Sequence, residues 1–386
     1  MVVTTRVRLD RISSATRNAA LTPEVIVGDQ IVSAEGYVLA VRILADKSTY
    51  NTVEDVTGRM LSLRGGDVLA GVLGTRRALR GYAGVVPPRL AVGDTIEVLN
   101  LGGILGTCTS VNPEIGPPFQ AEVLGAILAF PELGDRIGRP AHIRDRAVPP
   151  ADSLESRVPV VYVAGTCMNA GKTVAATELV RGLARGGLRI AAAKLTGVSL
   201  MRDALSMLDA GALVALTFND VGIASTHPGV TVNTAKGIFN RLAGAKPDVI
   251  VAELGDGILG EYGVQDILRD ELGYQGVILS DDLEMKAIAR SCSVPDAAVQ
   301  AIAAGCDGVL ICSGDVEVQA ATLEALVHAF EDGRIPFKRL EDALKRLRGA
   351  KERFLTAPVA VQAPRLQHVL GCDAHQRIAE EMSRFL

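Results

Sequence analysis

The apolar positions change their period part-way along the chain. From about Gly36 to Phe130 they fall in short runs rich in Val, Ile and Leu, at Tyr37–Leu44, Val68–Leu73, Thr95–Leu101 and Ala121–Phe130, parted by Gly, Pro and Asp. Such runs predict β-strands. Two of them are entered by Gly-Asp, at Gly66-Asp67 and Gly93-Asp94, where Gly supplies an unusual φ and Asp caps its own turn. The expected N-terminal unit, residues 1–150, is a small barrel or sandwich acting as an accessory β domain. A stretch rich in Pro, Arg and Ser, Arg144 to Pro159, marks its end.

Beyond that boundary strands and helices alternate. An apolar strand at Val160–Ala164 leads through a Gly-rich loop into a helix carrying Val174, Leu179, Val180 and Leu183. A Gly186-Gly187 stop and a second strand at Leu188–Leu195 follow, with a further strand, Asp248–Glu253, after Pro247. This order predicts a parallel sheet with right-handed crossovers. The alternation continues through strands at Gly276–Ser280 and Gly308–Cys312 and helices near Pro295–Ala304 and Glu317–Phe330. A last amphipathic helix sets Leu340, Ala343, Leu344, Leu347 and Phe354 on one face.

Composition narrows the function by exclusion. The 386 residues are 48% hydrophobic and 22% charged, with a formal charge of −4 and a pI near 5.8, which argues against an electrostatic nucleic-acid binder. No stretch reaches the length of a membrane span and the N-terminus lacks the apolar core of a secretory signal, so a cytoplasmic protein is expected. The six cysteines form neither a CxxC pair nor a Cys/His cluster. Small molecules are the expected partners, and a homo-oligomer stays open.

Residues 165 to 173 read Gly-Thr-Cys-Met-Asn-Ala-Gly-Lys-Thr between a strand and a helix. Glycines there let backbone N–H groups curl around an anion, the helix N-terminus adds partial positive charge, Lys172 reaches terminal phosphates and Thr173 can ligate Mg²⁺. Gly165-Thr166, four residues, then Gly171-Lys172-Thr173 resembles the phosphate loop of the dethiobiotin synthetase and cobyrinic acid synthase group of P-loop proteins. The resemblance spans roughly 158 to 262, taking in Lys194-Leu195-Thr196-Gly197 and Glu253-Leu254-Gly255-Asp256-Gly257, and is closer still to an uncharacterised P-loop family. It implies a nucleotide-binding domain over 156–268. Its cofactor would be Mg²⁺ with ATP or GTP, held by Gly165, Thr166, Asn169, Ala170, Gly171, Lys172, Thr173 and Lys194, with Thr173 and Glu253 as metal ligands. Cys167 stands where dethiobiotin synthetase has Asp, which sets ureido-ring chemistry aside. Asp203, Asp209, Asp220, Thr226 and His227 lie in the polar region between these strands, and Lys47, Asn51, Arg76, Arg77 and Arg80 are candidates for a ligand surface on the β domain.

The segment 269–290, RDELGYQGVILSDDLEMKAIAR, resembles the nucleophile segment of bacterial glycoside hydrolase family 3 β-N-acetylglucosaminidases, and the likeness continues through AAVQAIAAGCDGVLIC at 297–312. By position, Asp281 corresponds to the nucleophile that forms the covalent glycosyl-enzyme. In that family the fold is a (β/α)₈ barrel, of which 269–386 would supply the last two βα units, and the general acid comes from a Lys-His-Phe-Pro-Gly-His-like segment that has no counterpart here.

The fold expected is therefore α/β, a small β domain followed by a P-loop parallel sheet extended by two βα units of barrel origin. The leading functional expectation is a Mg-nucleotide enzyme coupling phosphate-anhydride hydrolysis to ligation or transfer on an unknown small molecule, with Lys172 catalytic. The alternative is a β-N-acetylhexosaminidase-type glycosidase using Asp281, and a third is a non-catalytic nucleotide-binding module or chimeric chain.

Overall fold

The computed structural model describes residues 4–76, 81–132, 134, 136–164, 171–227, 229–255, 263, 264, 267, 277–284, 292–312, 314–354 and 377. Its N-terminal strands close into a ring. Phe119–Ala129 pairs with Val38–Ile43, which pairs with Val68–Leu73, then Ile104–Val111, then Thr95–Val98, and the last returns to Phe119–Ala129. Closure removes the exposed edges that an open sheet would present. Alternate residues fill the interior: Leu39, Val41, Ile43, Leu69, Leu73, Ile96, Val98, Leu105, Phe119, Ala121 and Val123 pack together, as the two-residue period of a strand requires. Gly71 belongs to this interior because a Cβ there would come within 2.7 Å of the Leu105 side chain. At the Gly-Asp turns, Gly66 and Gly93 have φ of 94° and 90°, and the Asp67 and Asp94 carboxylates accept the N–H groups of Arg64 and Ala91.

The second unit is a four-stranded parallel sheet of β1 (Val160–Val163), β2 (Ile190–Thr196), β3 (Val214–Thr217) and β4 (Val249–Leu254), in the order β1-β4-β2-β3. All residues of β2 and β4 are buried, as expected of parallel strands covered on both faces. Helices α1 (Lys172–Arg185), α2 (Arg202–Asp209) and α3 (Thr231–Ala243) accompany it. Ala176 and Val180 of α1 are buried, whereas Val174, which the periodicity placed with them, is exposed. The Pro-rich segment after the barrel is tied down: Asn233, Lys236 and Asn240, on successive turns of α3, bond to residues 151 to 156.

Polar contacts dock the barrel onto this sheet. Arg17 meets Asp220, Asn219 and Thr217, and Asn100 donates to the Ser199 carbonyl. Helix α2 has no cap from its own N-cap residue. Glu54, fully buried in the barrel unit, accepts the Met201 and Arg202 N–H groups at 2.7 and 3.1 Å instead. A carboxylate there satisfies two orphan donors and sits favourably at the positive end of the helix.

The third unit holds β5 (Leu279–Asp282) and β6 (Gly308–Leu310), which pair in parallel, with helices α4 (Val294–Ala303), α5 (Val316–Glu331) and α6 (Phe337–Phe354). Ile278, Ala301, Ile302, Cys306, Ala329 and Ile335 form its own core. On α6, Ala343 is buried but Leu344 is exposed, so its apolar stripe is narrower than the sequence pattern implies. The expected extension of the four-stranded sheet by these strands is not found: among the described residues β5 and β6 pair only with each other. The reason is geometric, since β4 is already flanked by β1 and β2 and offers no edge next to Glu253. Among the described residues no helix is long and apolar enough to cross a membrane.

The inter-unit cap is directly testable. Replacing Glu54 by Gln turns one acceptor into an NH₂ facing an N–H donor, and should cost about 1–2 kcal/mol of stability, read as a lower urea midpoint at neutral pH. An unchanged midpoint would refute the capping role.

Candidate functional site

Two strand ends gather the chemistry predicted from sequence. The first is the C-terminal edge of the four-stranded sheet. Gly171 has φ of 82° and precedes α1 at its N-cap, a left-handed backbone that favours glycine, and no atom of the described residues lies within 4 Å of where a Cβ would stand. Lys172, the first residue of the helix, is buried. The Thr173 hydroxyl donates to Glu253 Oε1 at 3.0 Å. Lys194 Nζ donates to the same oxygen at 2.7 Å and to Asp203 Oδ2 at 2.6 Å. Strand register explains the meeting, because Lys194 of β2 stands opposite Glu253 of β4. Burial works against the Lys194 charge, but the Asp203 and Glu253 carboxylates outweigh it and hold the ammonium above the ordinary lysine range.

Of the other residues singled out here, Gly165, Thr166, Asn169 and Ala170 lie outside the described residues, as do Arg77 and Arg80. Thr226 is buried and its hydroxyl accepts the Gly197 N–H. Asp220 caps a short helical turn and pairs with Arg17 at 2.9 Å, while Asp209 and His227 are exposed. In the barrel, Lys47 is a tether rather than a ligand-lining group. It donates to the Tyr82 hydroxyl and to the Ile115 and Pro117 carbonyls over the Tyr82 and Phe119 rings, and burial lowers its pKa. Arg76 is buried against the Leu99 carbonyl, and Asn51 donates to the Lys47 carbonyl.

The second strand end belongs to β5. The sequence predicts a strand over Gly276–Ser280; the observed one begins at Leu279 and includes Asp281 and Asp282. Leu279 stands opposite Gly308 and Asp282 opposite Leu310, so three steps on β5 span two on β6. The extra residue makes a bulge at Ser280-Asp281, and the Ser280 hydroxyl accepts the Leu310 N–H at 3.0 Å. Asp281 thus lies in a bulge near the C-terminal end of a parallel strand, the end at which βα architectures collect their functional groups. Neighbouring Asp307 is buried and bound by Arg339 and Arg346 of α6. Asp307 lies within the segment 297–312 already quoted for its likeness but was not singled out there, and Arg339 and Arg346 belong to no quoted motif. The available signal was two arginines seven apart, two helical turns, on the side of α6 that buries Ala343.

Comparison with known proteins finds likenesses that fall mainly on the third unit. Residues 257–349 match the glycosyl hydrolase family 3 N terminal domain. The beta-hexosaminidase of Thioalkalivibrio sulfidiphilus (strain HL-EbGR7) is 42% identical over 88 residues, covering 22% of this chain and 25% of that protein. The beta-hexosaminidase of Nitrosomonas eutropha (strain DSM 101675 / C91 / Nm57) is 54% identical over 50 residues, 13% of this chain and 14% of that one. Among solved structures, a glycoside hydrolase family 3 beta-N-acetylglucosaminidase from Paenibacillus sp. str. FPU-7 is 24% identical, with 55% of this chain and 48% of that one covered at a TM-score of 0.27. The chain spans 25% or less of the length of the curated relatives it matches.

These matches overturn the leading expectation of a Mg-nucleotide enzyme and favour the glycosidase alternative. The P-loop, ATP-binding and magnesium descriptions do not stand, nor do Mg²⁺ with ATP or GTP as cofactors. The geometry supplies a physical reason. Thr173 and Lys194, expected to serve metal and phosphate, are engaged with Glu253 and Asp203, so this edge is knitted together by its own charges.

That charge network has a measurable consequence. Glu253 Oε2 meets no donor among the described residues, so Lys194 carries much of the compensation for a buried charge. Lys194→Met should destabilise the chain by about 3–5 kcal/mol, and adding Glu253→Gln should recover part of the loss. Because the folded lysine is held above its ordinary value of 10.5, its contribution is complete below that pH and is lost as pH climbs through the raised folded value. Denaturant titration of both variants from neutral to alkaline pH checks the magnitude and the sign.

Proposed function

We propose that the third unit carries the nucleophile end of a β-N-acetylhexosaminidase-type glycoside hydrolase acting on a small carbohydrate substrate, with Asp281 as the nucleophile. The observation that supports it most is the bulge at Ser280-Asp281 within the segment that matches the family 3 domain. Bulges beside active sites re-aim a side chain relative to a regular strand. In the proposed reaction an Asp281 carboxylate oxygen attacks the anomeric carbon as the bond to the leaving oxygen breaks and that oxygen takes the electron pair. Water then attacks the same carbon, the ester bond to Asp281 breaks, and the proton passes to solvent or base. Two displacements retain the anomeric configuration.

A natural sugar leaving group also needs a proton, and among the described residues two histidines are engaged elsewhere. His142 is in the barrel unit, where burial lowers its pKa and it meets the Glu35 carbonyl and the Arg144 N–H. His328 pairs with Glu331 on α5. An aryl β-N-acetylglucosaminide with an acidic phenol needs no such proton, so it should be turned over about 10²–10⁴-fold faster than an unactivated glycoside. Asp281→Asn should reduce that turnover to the uncatalysed rate. A 2-deoxy-2-fluoro glycosyl reagent should add its mass to the peptide containing Asp281. Absence of both labelling and Asp281-dependent turnover at high protein concentration would overturn the proposal.

A further inference from the structure

We infer that Asp307 is a positioning residue for the strand that carries Asp281, and that Arg339 and Arg346 of α6 act through it; the catalytic part of this inference rests on the glycosidase reading above. Asp307 stands immediately before β6. Its N–H donates to the Ile278 carbonyl at 2.6 Å, and its Oδ2 accepts the Ile278 N–H at 3.0 Å. One residue therefore holds both backbone groups of the position that leads into β5. The bulge with Asp281 begins two residues later, so the height at which β5 enters the pair fixes where the bulge falls.

The carboxylate is fixed from the other side by α6. Arg339 Nη2 reaches Oδ1 at 2.7 Å, Arg346 Nη2 reaches Oδ1 at 2.8 Å, and Arg346 Nε lies 3.0 Å from both oxygens. Arg339 also donates to the Ile302, Gly305 and Cys306 carbonyls, clasping the turn between α4 and β6. The Asp307 side chain has no exposed surface. Two guanidinium groups on one carboxylate is more than neutralisation needs, and fork-shaped donors fix direction as well as charge. Hydrogen bonding to Asp307 raises the Arg346 pKa, so this contact stays charged throughout the range in which a glycosidase would work. Helix α6 thereby acts as a gauge for β5, although it lies some sixty residues away in sequence.

The test compares Asp307→Asn, Arg346→Gln and Arg346→Lys in the full chain. Arg346→Gln leaves Arg339 on the carboxylate, so it keeps the test open should Asp307→Asn fail to fold. Amide exchange followed by mass spectrometry should accelerate about tenfold or more in the peptide containing 278–282 and stay unchanged in α4 and α5. On the activated aryl glycoside, kcat should fall roughly 10–100-fold with KM within about twofold. Arg346→Lys should behave as a loss, because an ammonium cannot bridge both oxygens. Unchanged kcat, a change in KM alone, or full rescue by lysine would overturn the positioning role even if the melting temperature fell. Should the wild-type chain show neither turnover nor labelling, the glycosidase reading fails and the exchange data alone decide. Acceleration confined to 278–282 then upholds Asp307 as the determinant of that strand, and uniform or absent acceleration refutes it.

Discussion

A carboxylate taken out of water must collect enough donors to offset its lost hydration, and in this chain Glu54, Glu253 and Asp307 all lie in that position. Each solves the problem by reaching across a boundary. Glu54 leaves the barrel to cap a helix of the parallel sheet, Glu253 gathers a threonine from α1 and a lysine from β2, and Asp307 gathers two arginines from α6. The need for donors therefore fixes which elements meet and at what height. Apolar packing alone does this less sharply, because hydrophobic contact has no direction.

What could be read in advance follows from how locally each feature is determined. The barrel strands, the Gly-Asp turns and the alternation after residue 160 depend on neighbours within a few positions, so period and turn chemistry reveal them. The meeting of Lys194 with Glu253 follows from a register between strands 59 residues apart, which no local pattern encodes. The same holds for Glu54, whose acceptor role is set by a helix 147 residues further on. Arg339 and Arg346 were half legible: their spacing marks one helix face, but only the fold shows that a buried aspartate lies beneath it.

The Gly-Lys-Thr motif shows the limit of context as an argument. A helix entered from a residue of positive φ favours glycine at that residue, and Gly171 meets that demand whatever ligand is present or absent. Finding Gly171-Lys172-Thr173 at the start of a helix therefore accounts for the glycine without naming a ligand. The side chains that follow decide the chemistry, and here Thr173 and Lys194 converge on Glu253.

The third unit depends on its ion network more than the others do. A ring of strands or a four-stranded sheet shares register among many ladder bonds, whereas β5 and β6 are short, have only each other among the described residues, and leave Leu279 and Leu310 partly exposed. An isolated pair of strands is marginal in water, and a bulge weakens its ladder further. Register in such a pair has to come from outside the ladder. Asp307 supplies it at one end through Ile278, and Ser280 supplies it at the other through Leu310. Asp281 follows the second of these points, and beyond it the Leu283 N–H donates to the Leu310 carbonyl at 3.0 Å, so held positions stand on both sides of the bulge. A strand held on both sides of an irregular position keeps that position at a defined height, which fixes the direction of whatever side chain the bulge carries.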